Sequence, residues 1–285
     1  MHNLKFDHPY TNAYRKVKGF SSKGCIFVFS NLQQLRYFLE LAYNGKDYFG
    51  WQIQPHQISV QEAIETRLSK ILGQTISIVG AGRTDSGVHA KKMYAHFDYE
   101  GELKKDLVKH LNSFLPKDIA IYKIHQMHPE AHARFDATSR SYHYFISPYK
   151  NPFAFESSWV FNRELDLDRM NDAAQLLIKK GDFGSFAKLH TDVKTNICDV
   201  REAFWFVNEQ GQYVFQITAD RFLRNMVRAI VGTLVEVGIG KITKEDLARI
   251  IEDQNRGSAG ASAPAQGLYL VDVQYPTELF INEHK

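Results

Sequence analysis

The run Gly80-Ala-Gly-Arg-Thr-Asp85-Ser-Gly-Val-His-Ala90 sets one carboxylate and one guanidinium among glycines and other small residues. Such a loop exposes Asp85 and lets the backbone of a partner come close. Gly80, Gly82 and Gly87 lack the spacing of a dinucleotide fingerprint, and no Gly-Lys-Ser/Thr follows to cradle a phosphate. The glycines are thus built around the carboxylate of Asp85 and not around a pyrophosphate. On its own, an Asp-Ser-Gly triplet reads better as a turn whose side chain accepts local backbone hydrogen bonds. A retaining hydrolase would need a second carboxyl group at short range. Asp98 is available, but no motif ties it to the loop.

The elements that must hold this loop read as intermixed strands and helices without regular alternation, which points to an α+β fold. Arg36 to Tyr43 has strand character. Ser59 and Glu62 have the spacing of a capping box, opening a helix with Ala63, Ile64, Leu68, Ile71 and Leu72 on its apolar face. Met93 to Tyr99 is a second strand, Leu103, Leu107, Leu111 and Phe114 recur at helical spacing up to Pro116, and Ile119 to Ile124 is extended. Thr138 to Ile146 reads as a long strand with Tyr142 and Tyr144 on one face. A helix is expected from Asp168 to Lys180, ended by Gly181, then a hairpin of Trp205 to Val207 and Tyr213 to Ile217. Phe222 to Val237 is the most apolar helix; a short helix from Thr243 to Glu252, a loop of small residues from Gly257 to Ala263 and a strand from Leu268 to Tyr275 complete the chain.

With 285 residues and 44% hydrophobic content, the chain can bury a large core. No apolar run approaches a membrane span, and Cys25 to Ser30 is too short for a secretory signal, so no membrane partner and a cytoplasmic location are expected. Cys25 and Cys198 make neither a disulfide framework nor a metal clip. His89 and His96 are too far apart for a helical zinc pair. No metal or other cofactor is expected. The net charge of +3 arises in the first 34 residues, where five basic residues face Asp7 alone. Nucleic-acid binding would therefore have to come from local clustering, not from the total.

The Arg83-Thr-Asp85 loop resembles the signature of the TruA family of tRNA pseudouridine synthases. Further blocks fall in that family's order: Tyr48-Phe-Gly-Trp-Gln52 with Val60-Gln-Glu62, Asn112 with Leu115-Pro116, and His132-Ala-Arg-Phe135. Arg140-Ser-Tyr142-His-Tyr144, Asp182-Phe-Gly-Ser-Phe186, Phe222-Leu-Arg-Asn-Met-Val-Arg228 with Gly232, and Gly267-Leu-Tyr-Leu270 follow. The resemblance covers about Arg36 to Pro276. One block is weak; this many in order are specific. Arg224-Asn225 departs from it, standing where relatives often carry histidines.

The resemblance implies two RRM-like, ferredoxin-like halves joined through a central, mainly antiparallel sheet with flanking helices. The expected division is a 1–34 extension of unknown role, a 35–132 half carrying the loop, a 133–276 half and a 277–285 tail. It implies isomerisation of uridine to pseudouridine at positions 38, 39 and 40 of the tRNA anticodon arm, by a homodimer. Asp85 would be the nucleophile, Arg228 its ion-pair partner, and Tyr142 the ring that stacks on the uracil and is a candidate to move its proton. Such an enzyme must draw the uridine out of its stack, and an arginine beside the acid offsets the desolvation when a base closes over it. Arg83, Lys91, Lys92, Arg134, Arg140, Arg221 and Arg224 lie in or beside these blocks. Among them Arg83, Arg134, Arg140 and Arg224 are the candidates for RNA contact. A nonenzymatic RNA-binding module is the rival class, but it has no need for an acid in a sculpted loop.

Overall fold

The structure, a computed structural model, describes residues 34–188 and 194–281. Residues 1–33 of the expected extension, with Cys25, and 282–285 of the expected tail lie outside the described residues.

In chain order the elements are β1 Gln34–Tyr43, α1 Val60–Leu72, β2 Val79–Gly80, β3 His89–Glu100, α2 Leu107–Phe114 and β4 Ile119–Met127. Then come β5 Ser139–Ser147, β6 Trp159–Val160, α3 Leu167–Ala174, β7 Lys180–Asp182, β8 Ile197–Val207, β9 Tyr213–Ala219, α4 Met226–Gly238, α5 Lys244–Asp253 and β10 Leu268–Gln274. One mostly antiparallel sheet runs in the order β4-β1-β3-β10-β5-β9-β8-β7, with helices packed against it, an α+β fold.

The centre of that sheet positions the site. β10 pairs with β5 in antiparallel fashion and with β3 in parallel, through Tyr269 opposite His89 and Leu270 opposite Ala90. The last strand of the chain thus lies between the strand that follows the Asp85 loop and the strand that carries Tyr142. On either side of this join an apolar cluster forms. Tyr37, Leu39 and Phe97 pack with Ile64, Leu68 and Leu111 of α1 and α2; Tyr144, Phe215 and Ile217 pack with Met170, Ile230 and Leu247 of α3, α4 and α5. The Tyr142 ring packs against both clusters.

Several elements differ from the sequence reading for definable reasons. The helix expected over 168–180 ends at Ala174 and continues as a single 3₁₀ turn through Leu177, because Lys180–Asp182 is taken up by pairing with β8, where Gly181 lies opposite Cys198. The expected helix from Phe222 starts only at Met226. Asn225 before it adopts φ of 67°, a left-handed conformation that asparagine tolerates better than most residues, so Phe222 to Arg224 form a loop. At α1 only half of the capping box forms, Ser59 Oγ accepting from the Glu62 N–H; the reciprocal box belongs to Thr243 and Asp246 at α5.

Helix α4 is apolar nearly all round, and eleven of its thirteen residues are buried, the exceptions being Arg228 and Glu236. Such a helix must be covered on every side. The small-residue segment 259–263 covers it: the Gly260 N–H donates to Thr233 Oγ1 at 3.0 Å and the Ala263 N–H to the Arg228 carbonyl at 2.9 Å. A Cβ at Gly232 would fall 1.8 Å from the Ala261 carbonyl oxygen, which leaves no room for any other residue. Gly232→Ala is accordingly expected to lower stability by about 1–3 kcal/mol through overpacking. The measurement is an earlier urea midpoint at unchanged slope.

Candidate active site

The loop between β2 and β3 is shaped by the segment Tyr48–Trp51. The Trp51 N–H donates to the Thr84 carbonyl at 3.2 Å, the Gly87 N–H to the Tyr48 carbonyl at 3.3 Å, and the Ser86 hydroxyl to the same carbonyl at 3.3 Å. The Thr84 hydroxyl is bonded to the buried Tyr43 hydroxyl at 2.8 Å. Gly50 sits at φ of 89°, and a Cβ there would meet the Thr84 carbonyl at 2.4 Å, so glycine is needed for this approach. The Asp85 carbonyl accepts from the Val88 N–H at 3.1 Å, closing a turn in which Gly87 takes φ of 77°. With its backbone fixed from both sides, the Asp85 side chain stays 25% exposed.

Two guanidinium groups face it. Arg228 Nη1 stands 3.6 Å from Asp85 Oδ2, and Arg224 Nε stands 3.6 Å from Asp85 Oδ1. The two arginines are not equivalent. Arg228 is 21% exposed and its Nε donates to the Ala263 carbonyl at 2.7 Å, so the same segment that covers α4 also aims this side chain. Arg224 lies in the loop before α4 and is 57% exposed.

Tyr142 on β5 is half-buried, with Phe222 edge-on to it at 5.1 Å between ring centroids. Burial pushes its phenol up to about 12, with Arg140 opposing and the Asp85 charge adding to the rise. The phenol is therefore neutral at physiological pH and within electrostatic reach of Asp85. Arg228 from a helix thus stands against Asp85 from a loop far away in sequence, and Tyr142 from a third element lies near enough for the Asp85 charge to act on its phenol.

The remaining basic residues separate into different roles. Arg140 is engaged internally: Nη1 donates to the carbonyls of Ala137 and Asp220 at 2.8 and 2.7 Å, and Nη2 to those of Ala81 and Arg134 at 3.0 and 2.5 Å. These bonds tie the loop preceding Asp85 to three other segments, and burial lowers the guanidinium below the ordinary arginine range. Arg140 therefore acts through the backbone it gathers, and its terminal nitrogens are already committed where RNA contact was expected. Arg83 and Arg134 are exposed. Lys92 is paired with Asp272 at 2.9 Å, and Lys91 lies over the rings of Phe145 and Tyr269 at 5.0 and 5.4 Å.

Asp98, the second carboxylate a hydrolase would need, is held by two 2.8 Å hydrogen bonds from Arg36 across β1 and β3, and this pairing lowers its pKa. His89 is absorbed in the fold, with Nδ1 accepting from the Gly45 N–H and its ring stacked on Tyr269 at 4.5 Å. Cys198 is buried, and burial pushes its thiol up to about 12, which disfavours the reactive thiolate. The Tyr48–Trp51 brace and the Ala263 carbonyl shape the Asp85 loop and aim Arg228, placements that the sequence reading does not assign. The Tyr48-Phe-Gly-Trp block and the loop of small residues ending at Ala263 are their traces in the sequence.

Comparison with known proteins shows what the chain as a whole is similar to. A family model described as tRNA pseudouridine synthase matches residues 41–136 and 173–276; Arg140 and Tyr142 fall between the two matched segments. The chain is 54% identical over 247 residues to tRNA pseudouridine synthase A of Bacteroides fragilis, covering 86% of this chain and 98% of that relative. It is 53% identical over 250 residues to tRNA pseudouridine synthase A of Porphyromonas gingivalis, covering 86% and 99%. It is 41% identical over 253 residues to the protein of the same name from Pseudoalteromonas translucida, covering 87% and 94%.

Proposed function

From the premise that the chain belongs to the tRNA pseudouridine synthase family, we propose that it isomerises uridines 38, 39 and 40 in the anticodon arm of tRNA, with Asp85 as covalent nucleophile. The observation that carries this reading is the Arg228–Asp85 pair: the one arginine of a largely buried helix reaches the one carboxylate of the braced loop. The net reaction breaks the bond from uracil N1 to the sugar and forms one from C5 to the same sugar carbon. No electrons are gained or lost overall: the C5 proton leaves to solvent and the freed N1 takes up a proton in its place. Asp85 adds covalently to the nucleotide and is later released, dividing one difficult step into two. Arg228 holds an opposing charge beside it when the base shuts out water. Tyr142 lies against the uracil, a contact worth about 1–3 kcal/mol per base, and its phenol is the candidate for moving the base's proton.

Arg83, Arg134 and Arg224 are exposed, as phosphate-binding side chains must be, and they lie on segments joined to the Asp85 loop. A second copy of the chain would extend this surface into a homodimer holding one tRNA. Because tRNA is the substrate, the cytoplasm is the working compartment; among the described residues no helix is long and apolar enough to cross a membrane.

Tritium release from unmodified tRNA carrying C5-labelled uridine tests the activity, and mapping the modified positions tests the site. Release without modification at 38 to 40 would move the substrate elsewhere in tRNA; no release would remove the reading. Neutralising Arg134 and Arg224 together to glutamine is expected to weaken tRNA binding. The slope of log affinity against log salt should become shallower by about 1.4 to 1.8 if each contacts one phosphate, as read by titrations over a range of salt concentrations.

A further inference from the structure

Phe135 is 73% exposed, yet it is not a loose surface residue. Its ring lies 4.2 Å from that of His132, His132 is edge-on to His96 at 4.6 Å, and His96 stacks with the buried Phe38 at 6.0 Å. A column of rings therefore runs from the core out to this one exposed aromatic. The backbone beneath it is held at almost every residue. His132 Nδ1 accepts from the N–H groups of Arg134 and Phe135 at 3.1 and 3.3 Å, and Asp136 Oδ2 accepts from the His132 N–H at 2.7 Å. His96 Nδ1 accepts from the Ala133 N–H at 3.1 Å, and the Tyr275 hydroxyl donates to the Ala133 carbonyl at 2.5 Å. Both imidazoles serve as acceptors in their neutral form: burial pushes His96 down to about 4 and lowers His132 as well.

The position of this ring adds a second argument. Arg140 Nη2 bonds the Arg134 carbonyl and the Ala81 carbonyl together, so the Phe135 turn is fastened directly to the strand end that leads into the Asp85 loop. The Arg134 guanidinium lies 5.7 Å from the Phe135 ring centroid, pairing a cation with the aromatic face. Single exposed apolar residues are common and need no explanation. An exposed phenylalanine immobilised in advance, with an arginine beside it and a strut to the active site, is a different object, since the entropy of ordering it has already been spent in folding.

We propose that Phe135 is a stacking platform for a second unpaired nucleobase of the tRNA substrate, distinct from the uridine at Asp85, with Arg134 securing the adjoining phosphate. The proposal rests on the reading of the Asp85 site given above. Stacking uses the π-face that every base has, so the platform holds the RNA without selecting a sequence. It fixes the displaced strand while the reacting uridine is turned out, and its contribution lies in substrate binding.

The test compares Phe135→Ala, Phe135→Leu, Phe135→Tyr and Phe135→Trp in steady-state tritium release from tRNA, with thermal midpoint and oligomeric state recorded for each. The alanine and leucine variants are expected to raise KM about 10-fold or more, with kcat within about twofold of the parent. Tyrosine and tryptophan should restore KM. Leucine matching the parent would show that any apolar bulk serves and would overturn the platform. An alanine variant of parental KM, or one that changes oligomeric state, would overturn it too, the latter by marking Phe135 as a contact between copies. A parent chain that released no tritium would instead sink the reading of the Asp85 site on which the platform rests. An active parent indifferent to Phe135 sinks the platform alone.

Discussion

Asp85→Asn is expected to reduce isomerisation by on the order of 10⁴-fold or more while leaving the fold and tRNA affinity close to those of the parent. The asparagine is nearly the same size, and among the described residues the Asp85 side chain makes no hydrogen bond that holds the loop. The bonds that shape it come from the backbone of Thr84, Asp85 and Gly87 and from the Thr84 and Ser86 hydroxyls. What is lost is the negative charge and the ability to form and release an ester-like bond. The partner arginines then face a neutral amide, a change the partly exposed site tolerates because Arg224 is open to solvent and Arg228 keeps its bond to the Ala263 carbonyl. Single-turnover tritium release, circular dichroism and a tRNA binding titration measured together decide the matter. Activity within tenfold of the parent would mean that another group attacks the nucleotide, whereas loss of binding together with activity would mean that Asp85 holds the loop.

How much of this was open to sequence reading depends on whether the cause was local. The Asp85 loop stands out because glycines and small residues around one acid are a local pattern; alternation along β5 is local too, but by itself it reads as packing, and only the Arg-Ser-Tyr block of the family resemblance gives Tyr142 a site role. The single arginine in an apolar helix is equally visible, although only the family resemblance pairs it with Asp85. Arg140 shows the limit. Its guanidinium serves carbonyls of Ala81, Arg134, Ala137 and Asp220, a set assembled by the sheet order, and nothing in the Arg-Ser-Tyr block distinguishes a strut from a phosphate ligand. The same holds for the helix expected through Lys180. Its apolar spacing is sound up to Leu177, but β8 lies alongside and claims the next residues as a strand, so pairing overrides propensity. The start of α4 was misplaced by four residues because the left-handed turn at Asn225 is set by its surroundings, with its Nδ2 donating to Ser262 Oγ at 2.6 Å.

Arg228→Met is expected to lower kcat by about 10²- to 10³-fold, the range found when one preorganised electrostatic partner is removed from an active site. Arg224→Met is expected to change kcat much less and to act mainly on KM for tRNA. The distances alone would not separate them, since each stands 3.6 Å from an oxygen of Asp85. Immobilisation and screening do. Arg224, more than half exposed, is screened by water and salt and must give up side-chain freedom to keep its pose. Arg228 is anchored in advance through Nε at the Ala263 carbonyl, leaving Nη1 aimed at the carboxylate. Lysine cannot make both contacts, having one nitrogen where arginine has a planar fork, so Arg228→Lys should recover only part of the loss. Methionine fills much of the arginine stem's volume and limits the packing penalty on α4, and a thermal midpoint near that of the parent would confirm that the chemistry, not the helix, was changed. Equal kcat losses in the Arg224 and Arg228 variants would show that the two arginines act as one diffuse positive field. A loss confined to Arg228 would make the carbonyl-anchored guanidinium the partner that holds Asp85 ready when the uracil closes over it.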